Sequence, residues 1–332
     1  MAARGRVTDE IRAYRAFTGE SAQAARQIRP PAHRTSIPAA VGDQMLLEAD
    51  ILDALIDSRH WTVHPFAISR VRPQRDGIVL CVDERVAAFG RTYDAATDVL
   101  YRLVPCADED GSFTTGVAGL RLGRLSGRNL ELRMADSGSA VVVLRCAPYV
   151  SWRVAIDSVR ADLVAAGHRP LWDPGCAVSA SERHFVGWQL ERFPRFAWLG
   201  SALLRRLYLF RSASHAFSAK GWCCDGRFKF ELNSIADVGS CHRQFIDRLT
   251  DADLGIPLTT KDIDCYCDGL QPRQSRTCWI ELGPRTGDAI LQLRFSNGPH
   301  PRSIQVRPEF ESIGADPRWL DLVLPQADHC PG

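Results

Sequence analysis

The spacing of apolar and polar positions divides the chain into segments of different kinds. In DQMLLEADILDALIDS (43–58), Leu47, Ile51 and Leu55 recur at helical spacing, with Leu52 and Ile56 beside them. That pattern predicts an amphipathic helix, with Asp43 as its expected cap. Glu48, Asp50, Asp53 and Asp57 are expected to keep its opposite face in water. From 61 to 145 strand signals dominate: WTVHPFAISRV, then IVLCV, RVAAF, VLYRLVP, NLELRM and AVVVLRC. IVLCV is apolar on both faces, as a central strand would be. NLELRM alternates, with Leu130, Leu132 and Met134 on one side. The connections are too short for helical crossovers, so an antiparallel meander or small barrel is expected.

SWRVAIDSVRADLVAAG carries the most regular helical stripe, Trp152, Ile156, Val159 and Leu163, with Ser151 placed to cap it and Gly167 to end it. The second half opens with two helical segments, SERHFVGWQLERF and FAWLGSALLRRLYLF. RFKFEL, CWIEL, AILQLRF and SIQV then alternate as four strands, with one face packed and one solvated. The expected fold is α+β: a mostly antiparallel β meander or small barrel flanked by helices, then a helical segment and a four-stranded antiparallel sheet. Residues 1–40 are expected to form an arm and linker, since RPPAHRTSIPAA stops any helix. A β-rich α+β unit spans 41–167, and a second α+β unit spans 181–332. HRPLWDPGCAVSA (168–180) marks the boundary. No residue-by-residue repeat links the two halves.

Composition adds limits. Of 332 residues, 45% are hydrophobic and 24% charged, which excludes wholesale disorder. A net charge of +2 excludes attraction of the whole molecule to a polyanion. Lysine occurs only at 220, 229 and 261, and arginine is spread along the chain, as a genome rich in G and C would produce. The 11 cysteines are odd in number and irregular in spacing, and Cys81 and Cys146 lie in apolar runs. The opening residues carry charges where a secretory signal would be apolar, and no stretch has about 18 uninterrupted apolar residues. An intracellular, cytoplasmic protein with free thiols and no membrane span is expected.

The chemistry is sparse. TTKDIDCYCDGL (259–270) holds two thiols among aspartates, but Thr259 with Asp262 resembles a capping box and Gly269 a helix end. In a helix Cys265 and Cys267 would lie about 200° apart, unable to grip one ion. No second cysteine pair has zinc-finger spacing, and the calcium-loop pattern fails, so neither metal nor cofactor is expected. Serine elbows and glycine-rich phosphate loops are absent.

The most unusual segment is 192–230, where basic residues interleave with aromatics. Arg195, Arg205, Arg206 and Arg211, with Trp198 and Tyr208, are the expected binding residues, for a protein partner or nucleic acid. The apolar side chains of 196–210 spread around most of a helix, which equally describes a buried helix with arginine stems along its edges. The expected function is non-catalytic binding or assembly through 192–230. The alternative is an enzyme with a dispersed Cys/His site, a hydrolase or zinc-dependent, in which a cysteine meets His184 or His215.

Overall fold

The computed structural model describes residues 2–28, 36–57, 60–88, 91–137, 139–192, 195–212, 216–224, 226–234, 241–264, 277–297 and 303–323. Two N-terminal helices, α1 (Ala2–Thr18) and α2 (Ala22–Ile28), precede α3 (Gly42–Ile56). A hairpin follows, β1 (Ile68–Gln74) and β2 (Gly77–Val82), then a second, β3 (Arg85–Ala88) and β4 (Arg91–Asp94). Next come α4 (Ala95–Leu103), the short strands β5 (Cys106–Ala107) and β6 (Phe113–Thr115), and the meander β7 (Leu120–Ser126), β8 (Asn129–Met134) and β9 (Val141–Arg145). After α5 (Trp152–Ala165), β10 (Arg169–Pro170), α6 (Ala180–Arg192) and α7 (Ala197–Leu204), a hairpin recurs as β11 (Ala216–Cys224) and β12 (Arg227–Ser234). It leads through α8 (Cys241–Leu249) to β13 (Thr259–Asp264), β14 (Thr277–Gly283) and β15 (Ile290–Asn297), and the described chain closes with α9 (Ser303–Ser312) and α10 (Pro317–Val323).

The class is α+β, as expected, but the sheets are mixed. The first runs β1-β2-β9-β8-β7, and β9 lies parallel to β2. No closed barrel occurs among the described residues. The second sheet has five strands, not four, in the order β11-β12-β15-β14-β13, with β15 parallel to β12. SIQV begins α9 instead of adding a strand. VLYRLVP belongs mostly to α4, whose start the Asp94 carboxylate caps by accepting from the amides of Ala96 and Thr97. Val99, Leu100 and Leu103 face the core at helical, not strand, spacing. Asp43 falls in the first turn of α3 and not at its cap, which is Val41. At the end of α5, Gly167 takes φ +80°, and the amides of Gly167 and His168 close on the carbonyls of Val164 and Leu163. This is the left-handed termination that glycine permits.

The two sheets share one plan. In each, a hairpin is followed by a helix and a three-stranded meander whose last strand inserts parallel beside the hairpin. The rung Val71–Leu80–Leu144–Leu130 corresponds to Gly221–Phe230–Leu293–Ile280. The next inward rung, Pro73–Ile78–Val142–Leu132, corresponds to Cys223–Phe228–Leu291–Leu282. The parallel partners Ile78 and Val142 are 64 residues apart, and Phe228 and Leu291 are 63 apart. The halves therefore repeat in topology and register without a residue-by-residue repeat in sequence.

A continuous core joins the inner faces of both sheets to α1, α3, α4, α5, α7 and α8. Its centre is the crossing of α3 and α7. A Cβ on Gly200 would stand 2.9 Å from the Ala49 Cβ and 2.7 Å from the Phe228 ring, so glycine sets how closely these helices approach.

Candidate ligand cavities along the third helix

The acidic side of α3, expected to face water, instead divides between core and cavities. Glu48 is fully buried. Its carboxylate accepts from Arg205 Nε (2.7 Å) and Nη2 (2.6 Å), from Ser201 Oγ (2.7 Å) and from Gln44 Nε2 (2.8 Å). Arg205 also donates to the carbonyls of Pro38 (2.6 Å), Gln74 (2.8 Å) and Gly77 (3.4 Å). Gln44 exchanges two hydrogen bonds with the backbone of Val141. One ion pair thus ties α3, α7, the β1–β2 turn and β9 together with its polar atoms satisfied, as a buried pair requires.

Further along α3, two cavities lie side by side. The first, about 500 Å³, is lined by Asp50, Asp53 and Asp57 of α3, Tyr101 and Arg102 of α4, and Phe113 to Val117. Phe185 of α6 and Lys220, Trp222 and Cys223 of β11 complete it. The second, about 410 Å³, is more apolar: Leu46, Leu47, Met134, Val178 and Val186 form its walls, with Asp43, Asp136 and Arg183 among them. Asp50 borders both.

The cavity charges differ in how they are held. Arg102 is engaged, donating to Asp98 (2.7 Å) and to the carbonyls of Leu55 and Phe66. Burial would raise the pKa of Asp98, but Arg102 and His60 together hold it below the ordinary carboxylate value. Arg183 donates to the Val178 carbonyl, and Asp43 accepts from Ser137. Asp50 is half-buried and makes no hydrogen bond or ion pair among the described residues. Desolvation, reinforced by the Asp53 carboxylate, pushes its pKa up to about 8. A carboxyl tuned towards neutrality inside a cavity is a common mark of a functional site.

The residues expected to form a basic contact surface do not make one exposed surface, although Arg211 and Tyr208 meet. Arg205 is fully buried in the Glu48 pair, and Arg206 is buried, donating to the carbonyls of Leu254 (2.6 Å) and Ala202 (3.1 Å). Burial, reinforced by Arg205, pushes the Arg206 pKa down to about 10, which leaves it charged at neutral pH. Trp198 packs partly buried against the core. Tyr208 stacks on His64 at 5.9 Å, and Arg211 donates to the Tyr208 hydroxyl and the His64 Nε2. Only Arg195 stands well exposed, 3.9 Å from Asp288. The segment 192–230 instead contributes Lys220, Trp222 and Cys223 to the first cavity.

His64 belongs to a second polar cluster, its Nδ1 2.7 Å from Asp83 Oδ1. The next residues but one, Phe66 and Ala67, are buried at φ 56° and 65°, a left-handed backbone that non-glycine residues rarely adopt. His184, offered for a Cys/His pair, lies on α6 and does not line either cavity among the described residues, and His215 lies outside them.

Thr259–Asp264 forms strand β13 and not a helix, pairing with β14, so the helical argument against a shared ion at Cys265 and Cys267 does not hold; both thiols lie outside the described residues. Among the described residues, no group of three His, Cys, Asp or Glu side chains could hold a metal, and no helix is long and apolar enough to cross a membrane. Of the cysteines, Cys81, Cys106, Cys146, Cys176, Cys223, Cys224 and Cys278 are free thiols. No protein-family model, curated protein or solved structure matches the chain.

Proposed function

We propose that the chain is a non-catalytic binding protein whose ligand site is the pair of cavities along α3. One observation carries this reading: Asp50, with no hydrogen bond or ion pair among the described residues, stands where the two cavities meet. A half-buried carboxyl on a cavity wall is placed to receive the polar head of a ligand. Together the cavities fall within the size range of small-molecule sites, and apolar walls with a few convergent polar groups are their usual make-up. The segment 192–230 takes part through β11. The burial of Arg205 and Arg206 removes them from any polyanion surface there.

A thermal-shift screen of cationic, anionic and neutral fragments tests the site. Hits are expected on the parent chain and should vanish in Val186→Trp, which fills the second cavity, and in Ala54→Trp, which fills the first. Hits that survive both substitutions in folded protein, or a screen without hits, would sink the reading.

An enzyme is the second reading, favoured by the same carboxyl. Asp50, its pKa pushed up to about 8, would be largely protonated near neutral pH and placed as a general acid inside the cavities. Chemical conversion of a cavity ligand, lost in Asp50→Asn, would replace the binding reading with this one. The first cavity also offers the Cys223 thiol, with no histidine among its described lining residues.

A further inference from the structure

Resting on the cavities as the ligand site, we infer the ligand class: an amphiphilic organic cation, its ammonium or guanidinium head at Asp50 and its aliphatic part in the second cavity. Three features of the walls converge on this chemistry. Carboxylates predominate, with Asp50, Asp53 and Asp57 around the first cavity and Asp43 and Asp136 around the second. Tyr101, Phe113, Phe185 and Trp222 surround the first cavity with aromatic rings, whose faces attract cations. Leu46, Leu47, Met134, Val178 and Val186 give the second cavity an apolar wall suited to a hydrocarbon chain.

The cationic side chains in the lining do not reverse this balance. Arg102 is held by Asp98 and two carbonyls, and Arg183 donates to the Val178 carbonyl. Lys220 lines the first cavity but is exposed, so its charge is well solvated. An anionic head would meet Asp50 with Asp53 behind it. A neutral head would leave Asp50 protonated and its charge unused.

The same arrangement couples binding to a proton. The titratable and charged groups lining the cavities with Asp50 are Asp43, Asp53 and Asp57 on α3, Tyr101 and Arg102 on α4, Asp136 after β8, Arg183 on α6, and Lys220 and Cys223 on β11, of which Asp53 acts on it most directly. Desolvation and Asp53 keep Asp50 largely protonated up to about pH 8. A cation binds the ionised form, so it must displace that proton. Affinity therefore rises with pH, by up to about tenfold per unit below the Asp50 pKa, and levels off above it.

Isothermal titration of the full chain with octyltrimethylammonium, octanoate and tetramethylammonium between pH 6 and pH 9 tests the inference. The quaternary head keeps its charge at every pH, so any titration seen belongs to the protein. Octyltrimethylammonium is expected to bind, more tightly than tetramethylammonium, with affinity climbing to pH 8 and flat beyond. One proton should be released per ligand at pH 6 to 7, read from buffers of different ionisation enthalpy. In Asp50→Asn the pH dependence should disappear and affinity at pH 9 should fall at least tenfold. The charge selectivity and pH profile of the parent chain decide the matter without that variant. Octanoate binding as tightly as the cation, or cation affinity flat across the series, overturns the ligand class. Fragments that bind in the cavities while octyltrimethylammonium does not would overturn the ligand class and leave the site standing. A chain that binds neither would lose both.

Discussion

Arg205 is the residue on which the sequence and the structure differ most, and replacing it by methionine decides between them. On an exposed basic surface, the change would cost within about 0.5 kcal/mol of stability. In the structure it leaves Glu48 buried, with only Ser201 and Gln44 to hold its charge, and strips a donor from the carbonyls of Pro38 and Gln74. Removing one partner of a buried pair costs about 3–5 kcal/mol. Each carbonyl left dry adds about 1–3 kcal/mol, less where water can enter from the β1–β2 turn. A loss of about 4–6 kcal/mol is expected, a large share of a total stability of about 5–15 kcal/mol. Glu48→Leu should cost a similar amount by stranding the guanidinium. The double variant Glu48→Leu/Arg205→Met should lose far less than the sum, because the desolvated charges leave together. Urea unfolding at pH 7 with a common m-value measures all three. A loss below about 1 kcal/mol for Arg205→Met, or additive single costs, would refute the buried pair and return Arg205 to the surface.

Four further outcomes follow from the same geometry. Gly200→Ala should destabilise by about 1–3 kcal/mol despite alanine's better helix propensity, with partial recovery in Gly200→Ala/Ala49→Gly, read by denaturant midpoints. Trp152, 1% exposed with its indole N–H on the Arg128 carbonyl, should cost about 3–5 kcal/mol as Trp152→Ala; a midpoint near the parent's would place its face in solvent. Asp50 has its pKa raised from 3.8 to about 8, so its contribution to stability is fully present below pH 4 and is lost as pH rises through 8. Unliganded Asp50→Asn should escape that loss and exceed the parent by about 1–2 kcal/mol at pH 9, after allowance for solvent screening; a gap that does not widen with pH contradicts the shift. All 11 thiols should react under denaturing, non-reducing conditions, and fewer than seven reactive thiols would contradict the seven free cysteines found among the described residues.

The sequence was most legible where local pattern alone determines structure. The α5 stripe, the alternation of β8 and the apolar run of β2 each appear where their periodicity predicts. It was least legible where a partner comes from far away. A helical projection puts Glu48 beside Leu52 and Leu55 and opposite the aspartates of α3, so its burial could have been read locally; its partner Arg205, 157 residues later, could not. For the same reason the polar face of α3 read as wet when it borders two cavities. Short segments failed differently. Four alternating residues, SIQV, fit a strand or one helical turn equally well. The box-like spacing of Thr259 and Asp262 occurs in a strand, whereas a reciprocal capping box forms at Ser179 and Glu182. VLYRLVP hid a helix whose clearest signal was the cap at Asp94 just before it. The arginines of 192–210 showed their count but not their depth, because guanidinium groups that cap carbonyls and pair with a buried acid look the same in sequence as groups facing a polyanion.

The parallel insertion of β9 beside β2, and of β15 beside β12, has a consequence during synthesis. The central rung of each sheet joins strands 64 and 63 residues apart, so neither can close when its hairpin first emerges. At a translation rate of about 5–20 residues per second, the inner edge of IVLCV waits about 3–13 s for its neighbour, and RFKFEL waits as long again. Through each interval an apolar strand presents unpaired backbone amides and carbonyls to solvent, the condition under which nascent chains associate with one another. Yield of soluble chain should therefore depend on how quickly the ribosome passes from Ile78 to Val142 and from Phe228 to Leu291, and slow codons in either stretch should lower it even though the finished fold is unchanged.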